Sequence, residues 1–257
     1  MMRGYVFDLD GTIYLGEKAI EGAADTLHVL KQRGDKVIFL SNNPLYSRYD
    51  LQKKLAAFGI DAKFDEIYNS NYILSLYLKQ KLEVDDKVWV LGEWPLFQEL
   101  QNHSISITHN PMDADYVVIS WDRDFTYVKL HQAFRAWEIG AEFIATNPDR
   151  TCPSDTGPLP DCGAIIGAIE GATGEAIQNI AGKPSSIAVN VIQQALDLPQ
   201  ASCYMVGDRL ETDIAMANFH RWNSILVLTG VTSEELAYSH TIKPDYVLNS
   251  VEELLSI

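Results

Sequence analysis

Tyr5-Val6-Phe7-Asp8-Leu9-Asp10-Gly11-Thr12 is the stretch on which the fold turns. Bulky apolar residues lead to Asp8, a second carboxylate follows at Asp10, and Gly11 comes next. This reads as a buried strand handing two acids to a tight turn at its carboxyl end. In an open parallel sheet, ligands bind at that end. Carboxylates this close raise each other's pKa unless a counter-charge holds them. A magnesium ion meets the need, because it takes oxygen ligands and completes its shell with water and phosphate oxygens. The plainer alternative is an acidic turn with Asp10-Gly11 as its turn residues.

Going outward, Ile20, Ala23, Ala24, Leu27 and Leu30 recur at helical spacing and Gly34 stops the helix. Residues 36–40 are a second apolar strand, ending at Ser41-Asn42-Asn43-Pro44. A hydroxyl and turn amides at a strand's carboxyl end can donate hydrogen bonds to a phosphoryl oxygen. An ordinary Asn-Asn-Pro turn reads the same way. Ser47 then caps a helix that Gly59 ends, a short strand covers 65–69, and a helix covers 71–80.

From Glu83 the alternation restarts, with strands expected at 87–91, 105–108, 116–120 and 142–145 and helices at 95–100 and 126–138. The segment 146–158 is dense in turn formers and long for a connection, as functional loops often are. A helix at 163–170 and a strand at 178–181 lead to Gly182-Lys183-Pro184. Lysine here suits a phosphate beside carboxylates, although most lysines merely sit on surface turns. Strand 203–206 opens into Gly207-Asp208-Arg209-Leu210-Glu211-Thr212-Asp213 and repeats the shape of the first stretch. Asp213 also reads as an acid at a helix N-terminus. Strands at 224–228 and 245–248, each with a following helix, complete the sheet.

The chain has 257 residues, 47% of them hydrophobic, enough for a large core. A net charge of −15 disfavours nucleic-acid backbones and anionic membranes as partners. A phosphorylated substrate stays compatible if a cation, a lysine and helix N-termini make a local positive site. The 3 cysteines have no C-x-x-C spacing and suggest neither a disulfide framework nor a zinc site. No signal-peptide pattern or membrane-length apolar run is present, so a cytoplasmic location is expected.

Taken together, the Asp-Leu-Asp-Gly-Thr stretch, Ser41 with its Asn pair, Gly182-Lys183-Pro184 and the G-D-x-x-x-T-D pattern at 207–213 resemble the four motifs of the haloacid dehalogenase-like phosphatases. The resemblance covers essentially the whole chain. It implies that Asp8 is the nucleophile and Asp10 the general acid and base. It implies a magnesium ion held by Asp8, the Asp10 backbone carbonyl and Asp208, with Asp213 supporting the metal waters and the lysine. Ser41, Asn42, Asn43 and Lys183 would hold the phosphate. An acid at Asp10 favours an alkoxide leaving group, which needs a proton, over a halide, which does not.

Ser41 and Lys183 must then meet at one phosphate although about 140 residues separate them, against the ~30 of a β-α-β unit. The expected architecture is a Rossmann-like doubly wound parallel core, residues 1–79 plus 179–257, with an inserted α/β cap at 80–178. The insert resembles the larger (C2-type) cap of the NagD-type branch. Val88-Trp89-Val90-Leu91-Gly92-Glu93, Ile144-Ala145-Thr146-Asn147 and Lys243-Pro244-Asp245-Tyr246-Val247-Leu248 look close to sugar phosphatases of that branch. Thr146, Asn147, Asp149 and the Cys152-to-Cys162 loop are the candidates for leaving-group specificity. The expected activity is magnesium-dependent hydrolysis of small phosphate esters, sugar phosphates first and p-nitrophenyl phosphate as the generic member. A phosphometabolite-binding or regulatory protein, or a phosphotransferase on the same fold, is the alternative. A small-molecule phosphate ester is the expected partner, with a homodimer through the cap left open.

Overall fold

In the computed structural model, which describes residues 2–153 and 157–257, the apolar run Gly4–Phe7 is an inner strand of a six-stranded sheet. Ser154, Asp155 and Thr156, within the loop considered for specificity, lie outside the described residues. Across the sheet the order is Tyr246–Leu248, Asn223–Val227, Cys203–Gly207, Gly4–Phe7, Lys36–Ser41, Ile67–Asn69. Numbered along the chain this is 6-5-4-1-2-3, the doubly wound order, and it reverses between the first and fourth strands. Parallel register sets Phe7 beside Val206 on one side and beside Phe39 on the other. Asp8 and Asp208, at the carboxyl ends of those two strands, therefore stand at the switch point where ligands bind.

The inner strands are buried on both faces, which is why they read as continuous apolar runs. Tyr5, Phe7, Phe39, Val206 and Ile225 join Leu27 and Leu30 of the helix Ala23–Gln32 in the main core. Gly34, at φ +83°, closes that helix in the left-handed conformation expected of it. The helix Ser186–Leu196, with Ser185 accepting from the Ala188 N–H, supplies buried Ala188, Val189, Ile192 and Leu196.

Contacts divide the chain into two units. One comprises Met1–Ser41, Arg48–Tyr68 and Lys183–Ile257, the other Asn42–Ser47 and Asn69–Gly182. The turn that follows Ser41 thus belongs with the inserted segment.

The second unit has its own four-stranded parallel sheet, in the order Asn179–Ile180, Glu142–Ala145, Tyr116–Ile119, Val88–Leu91. Trp89, Leu91, Val117, Ile119, Trp121 and Ile165 are among its separate core. Two sequence expectations fail here for local reasons. Residues 105–108 meet the edge strand only at a single bridge, Ile107 to Val88, before Asn110 and Pro111 turn the chain away. Cys162 lies not in a loop but at the start of the helix Cys162–Thr173, where Asp161 caps its backbone N–H. All three cysteines are free thiols. Among the described residues no helix is long and apolar enough to cross a membrane.

Candidate active site

Two strand ends and a π-helical turn converge on a small volume of the first unit. Asp8 follows the strand Gly4–Phe7, Asp208 follows Cys203–Gly207, and Asp213 sits in a wide π-helical turn, Leu210–Ile214. Such turns recur at functional sites because they re-aim a side chain within a helix start. Oxygens of Asp8, Asp208 and Asp213 lie within 4.8 Å of one another.

Lys183 is 2% exposed and reaches two of these carboxylates, Asp8 Oδ1 at 2.5 Å and Asp213 Oδ1 at 2.7 Å. Burial opposes its charge, but the two carboxylates more than compensate and hold its pKa above the ordinary lysine value. Asp213 is fixed from a second side, accepting the Arg209 N–H at 3.1 Å. A Cβ at position 207 would come 2.3 Å from the Asp213 carboxylate, so only glycine lets it approach.

Asp208 is fully buried and takes the Val231 N–H on Oδ2 at 2.6 Å. A Cβ at Gly230 would stand 2.0 Å from that oxygen. Asp208 Oδ1 is buried without a hydrogen-bond partner. Burial, then the charge of Asp213, pushes the Asp208 carboxyl up to about 6, with Val231 acting the other way. The Asp8 carboxyl is also held well above the usual range, burial outweighing Lys183.

Three clustered carboxylates have one buried lysine, which pairs with Asp8 and Asp213, while Asp208 Oδ1 is buried without a hydrogen-bond partner. An isolated buried negative charge is costly, so this donor set fits a hard divalent cation that takes oxygen ligands. Asp10 stands outside the cluster by its side chain. Burial raises its carboxyl, while the Gly16 N–H at 3.5 Å, Lys54 and Arg209 favour the charged form.

Ser41 is buried at the end of the strand beside Gly4–Phe7. The side chains of Asn42 and Asn43 are engaged in the second unit. Asn42 Nδ2 donates to Asp149 Oδ2 at 2.7 Å, and Asn43 Oδ1 accepts the Leu45 N–H at 2.9 Å. Thr146 and Asn147 have no exposed surface, and Thr146 Oγ1 donates to Asn147 Oδ1 at 2.8 Å. Burial pushes the neighbouring Cys162 thiol up to about 12, so it is an inert member of this group.

Sequence reasoning missed the segment Thr229-Gly230-Val231-Thr232. Besides Val231 on Asp208, Thr229 Oγ1 donates to the Gly11 carbonyl at 2.6 Å and the Thr232 N–H to the Asp208 carbonyl at 3.3 Å. Its position just past the strand Asn223–Val227, with a glycine, was the available signal.

Known proteins resemble this chain in sequence and in fold. The family model described as haloacid dehalogenase-like hydrolase matches residues 5–106, and one described as HAD-hydrolase-like matches 180–254. The sugar-phosphatase AraL of Bacillus subtilis is 37% identical over 254 residues, covering 99% of this chain and 92% of that protein. The p-nitrophenyl phosphatase structure from Archaeoglobus fulgidus superposes with a TM-score of 0.93 at 34% identity, covering 99% of this chain and 98% of that one. NagD from E. coli gives a TM-score of 0.88 at 29% identity, covering 98% of each chain.

Proposed function

Since the chain belongs to the haloacid dehalogenase-like hydrolases and has the NagD-type fold, we propose that it is a magnesium-dependent phosphomonoesterase for small phosphorylated metabolites, sugar phosphates first. The observation that carries this reading is the cluster of Asp8, Asp208 and Asp213, in which Lys183 pairs with Asp8 and Asp213 and Asp208 Oδ1 is buried without a hydrogen-bond partner.

Asp8 and Asp208, with the Asp10 backbone carbonyl, would hold the cation. When bound it would neutralise phosphate charge and favour the ionised carboxylates. Asp8 attacks phosphorus in line, forming a bond to its carboxylate oxygen as the bond to the alkoxide breaks. Asp10, whose carboxyl retains a proton more readily than usual, gives that proton to the alkoxide; such assistance is worth ~10²–10⁴-fold. Water then attacks the aspartyl phosphate at phosphorus, Asp10 takes the water's proton, and Asp8 and free phosphate are released. Lys183 and the Ser41 hydroxyl hold charge on the phosphoryl oxygens, and Asp213 keeps Lys183 in place.

The inserted unit, proposed to act as the cap, would exclude water and read the leaving group. A complete set of acids gives no support to a protein that only binds. Phosphate release from a panel of esters, with p-nitrophenyl phosphate as the generic member, tests the reading with magnesium and with a chelator. Release that requires magnesium supports hydrolysis. Transfer to a sugar acceptor without free phosphate would replace hydrolysis by phosphotransfer, and binding without turnover would replace it by a binding role.

A further inference from the structure

The residue after Ser41 and the residue before Lys183 are gripped by one hydrogen-bonded net inside the second unit. Asp149 Oδ2 accepts from Asn42 Nδ2 at 2.7 Å and from Asn147 Nδ2 at 2.9 Å. Asn147 Nδ2 also donates to Asp161 Oδ1 at 3.2 Å, and Asp161 caps the helix Cys162–Thr173. The Asp149 backbone is tied to the same helix, its carbonyl accepting the Gly163 N–H at 2.8 Å. Ser70 Oγ holds the Asn42 carbonyl at 2.8 Å.

Asn42 also fills the side-chain space of position 182. A Cβ on Gly182 would lie 2.5 Å from Asn42 Oδ1 and 2.7 Å from the Thr146 carbonyl, and the Gly182 N–H donates to that same carbonyl at 2.7 Å. The two polypeptide joints that continue into Ser41 and Lys183 therefore share one side chain, Asn42. Asp149 supplies the charged acceptor that orients it, the stronger kind of hydrogen bond.

We propose that Asp149 is a positioning residue for phosphoryl transfer. Through the Asn42 amide it fixes the turn into which Ser41 runs, and through the Asn42–Gly182 packing it fixes the residue from which Lys183 begins. This rests on the phosphatase reading, and it replaces leaving-group recognition as the role of Asp149. Displacements of about 1 Å in groups that hold a reacting centre cost on the order of 10²-fold in rate. A disturbance at the joints should therefore act on every substrate alike, because all share the phosphoryl group.

The test compares the parent chain with Asp149→Ala, Asp149→Asn, Asn42→Ala and the Asn42→Ala/Asp149→Ala double variant. kcat and KM are measured on p-nitrophenyl phosphate and on a sugar phosphate, with thermal melts to confirm folding. Asp149→Ala should lower kcat by ~10-fold or more on both esters by the same factor, with KM little changed. Asp149→Asn keeps a carbonyl oxygen that can accept from Asn42 and should restore most of the rate. The double variant should be no slower than the slower single one. A loss that differs between the two leaving groups, multiplicative single effects, or a lower melting point with kcat intact would overturn the proposal. A parent chain that releases no phosphate from any ester overturns the phosphatase reading and this proposal with it. An active parent with unaffected variants overturns this proposal alone.

Discussion

At Asp208 the proposed metal-binding role and the stability of the folded chain oppose each other most plainly. Its carboxyl titrates at about 6 in the folded chain against 3.8 in the reference state, because it is buried beside Asp213. Between those values the folded chain keeps a proton that the unfolded chain has released. The group's favourable contribution is therefore complete below about 3.8 and fades as pH rises through about 6. Asp208→Asn should then raise the melting temperature of the metal-free chain at pH 7.5 while removing the extra stability that magnesium confers. Thermal melts with chelator and with magnesium check both halves, and a variant less stable than the parent without metal would contradict the sign. By the same logic, magnesium should stabilise the parent chain more at pH 7.5 than at pH 5. At Asp8 the expectation is kinetic: Asp8→Asn should cut phosphate release by at least ~10³-fold, since an amide replaces the carboxylate proposed to attack phosphorus. Substantial residual turnover would remove Asp8 from the role of nucleophile.

Among the elements, those that end in chemistry were legible. The runs before Asp8, before Ser41 and before Asp208 are buried on both faces, so an acid or a hydroxyl at the end of each stands out against a continuous apolar stretch. Harder to see was Thr229-Gly230-Val231-Thr232, because it acts on Asp208 through backbone N–H groups, which every residue type carries. Gly230 is the exception, since a side chain there would meet Asp208 Oδ2 at 2.0 Å. Gly230→Ala should displace that carboxylate and raise the magnesium concentration for half-maximal rate by ~10-fold or more, with the core still folded. A magnesium titration of phosphate release reads this directly, and an unshifted midpoint would show that the loop does not position Asp208. Residues 105–108 failed as a strand because alternating Ile and polar residues fit an edge, while actual pairing stops at Val88 and Pro111 follows. Asn42 and Asn43 read as phosphate ligands from their place after Ser41. Nothing local in the sequence indicates that Asn42 Nδ2 meets Asp149, 107 positions away.

Over the whole molecule, an insertion was inferred from the sequence separation of Ser41 and Lys183, and a parallel sheet from the alternation of strands and helices, while the strand order emerges only from the structure. What spacing could not supply is which unit a connecting residue joins. Asn42–Ser47 follows a strand of the first unit yet makes its contacts with the second. Molecular charge adds a testable consequence. At −15 the protein repels a dianionic ester at long range, and salt screens that repulsion over a Debye length of about 8 Å at physiological strength. With magnesium kept saturating, kcat/KM should therefore rise ~2–5-fold from low salt to physiological salt while kcat stays level. A fall would mean that the local field of Lys183 and the cation governs capture instead.

On the proposed mechanism, phosphate passes through Asp8. The most direct measurement is a borohydride quench of the magnesium-loaded chain during turnover of p-nitrophenyl phosphate, followed by mass analysis of the peptide containing Asp8. An acyl phosphate is reduced to the alcohol, whereas a free carboxylate is not. Reduction is expected at Asp8 alone, requiring both magnesium and ester. Continued phosphate release with Asp8 unmodified, or reduction at another carboxylate, would contradict it.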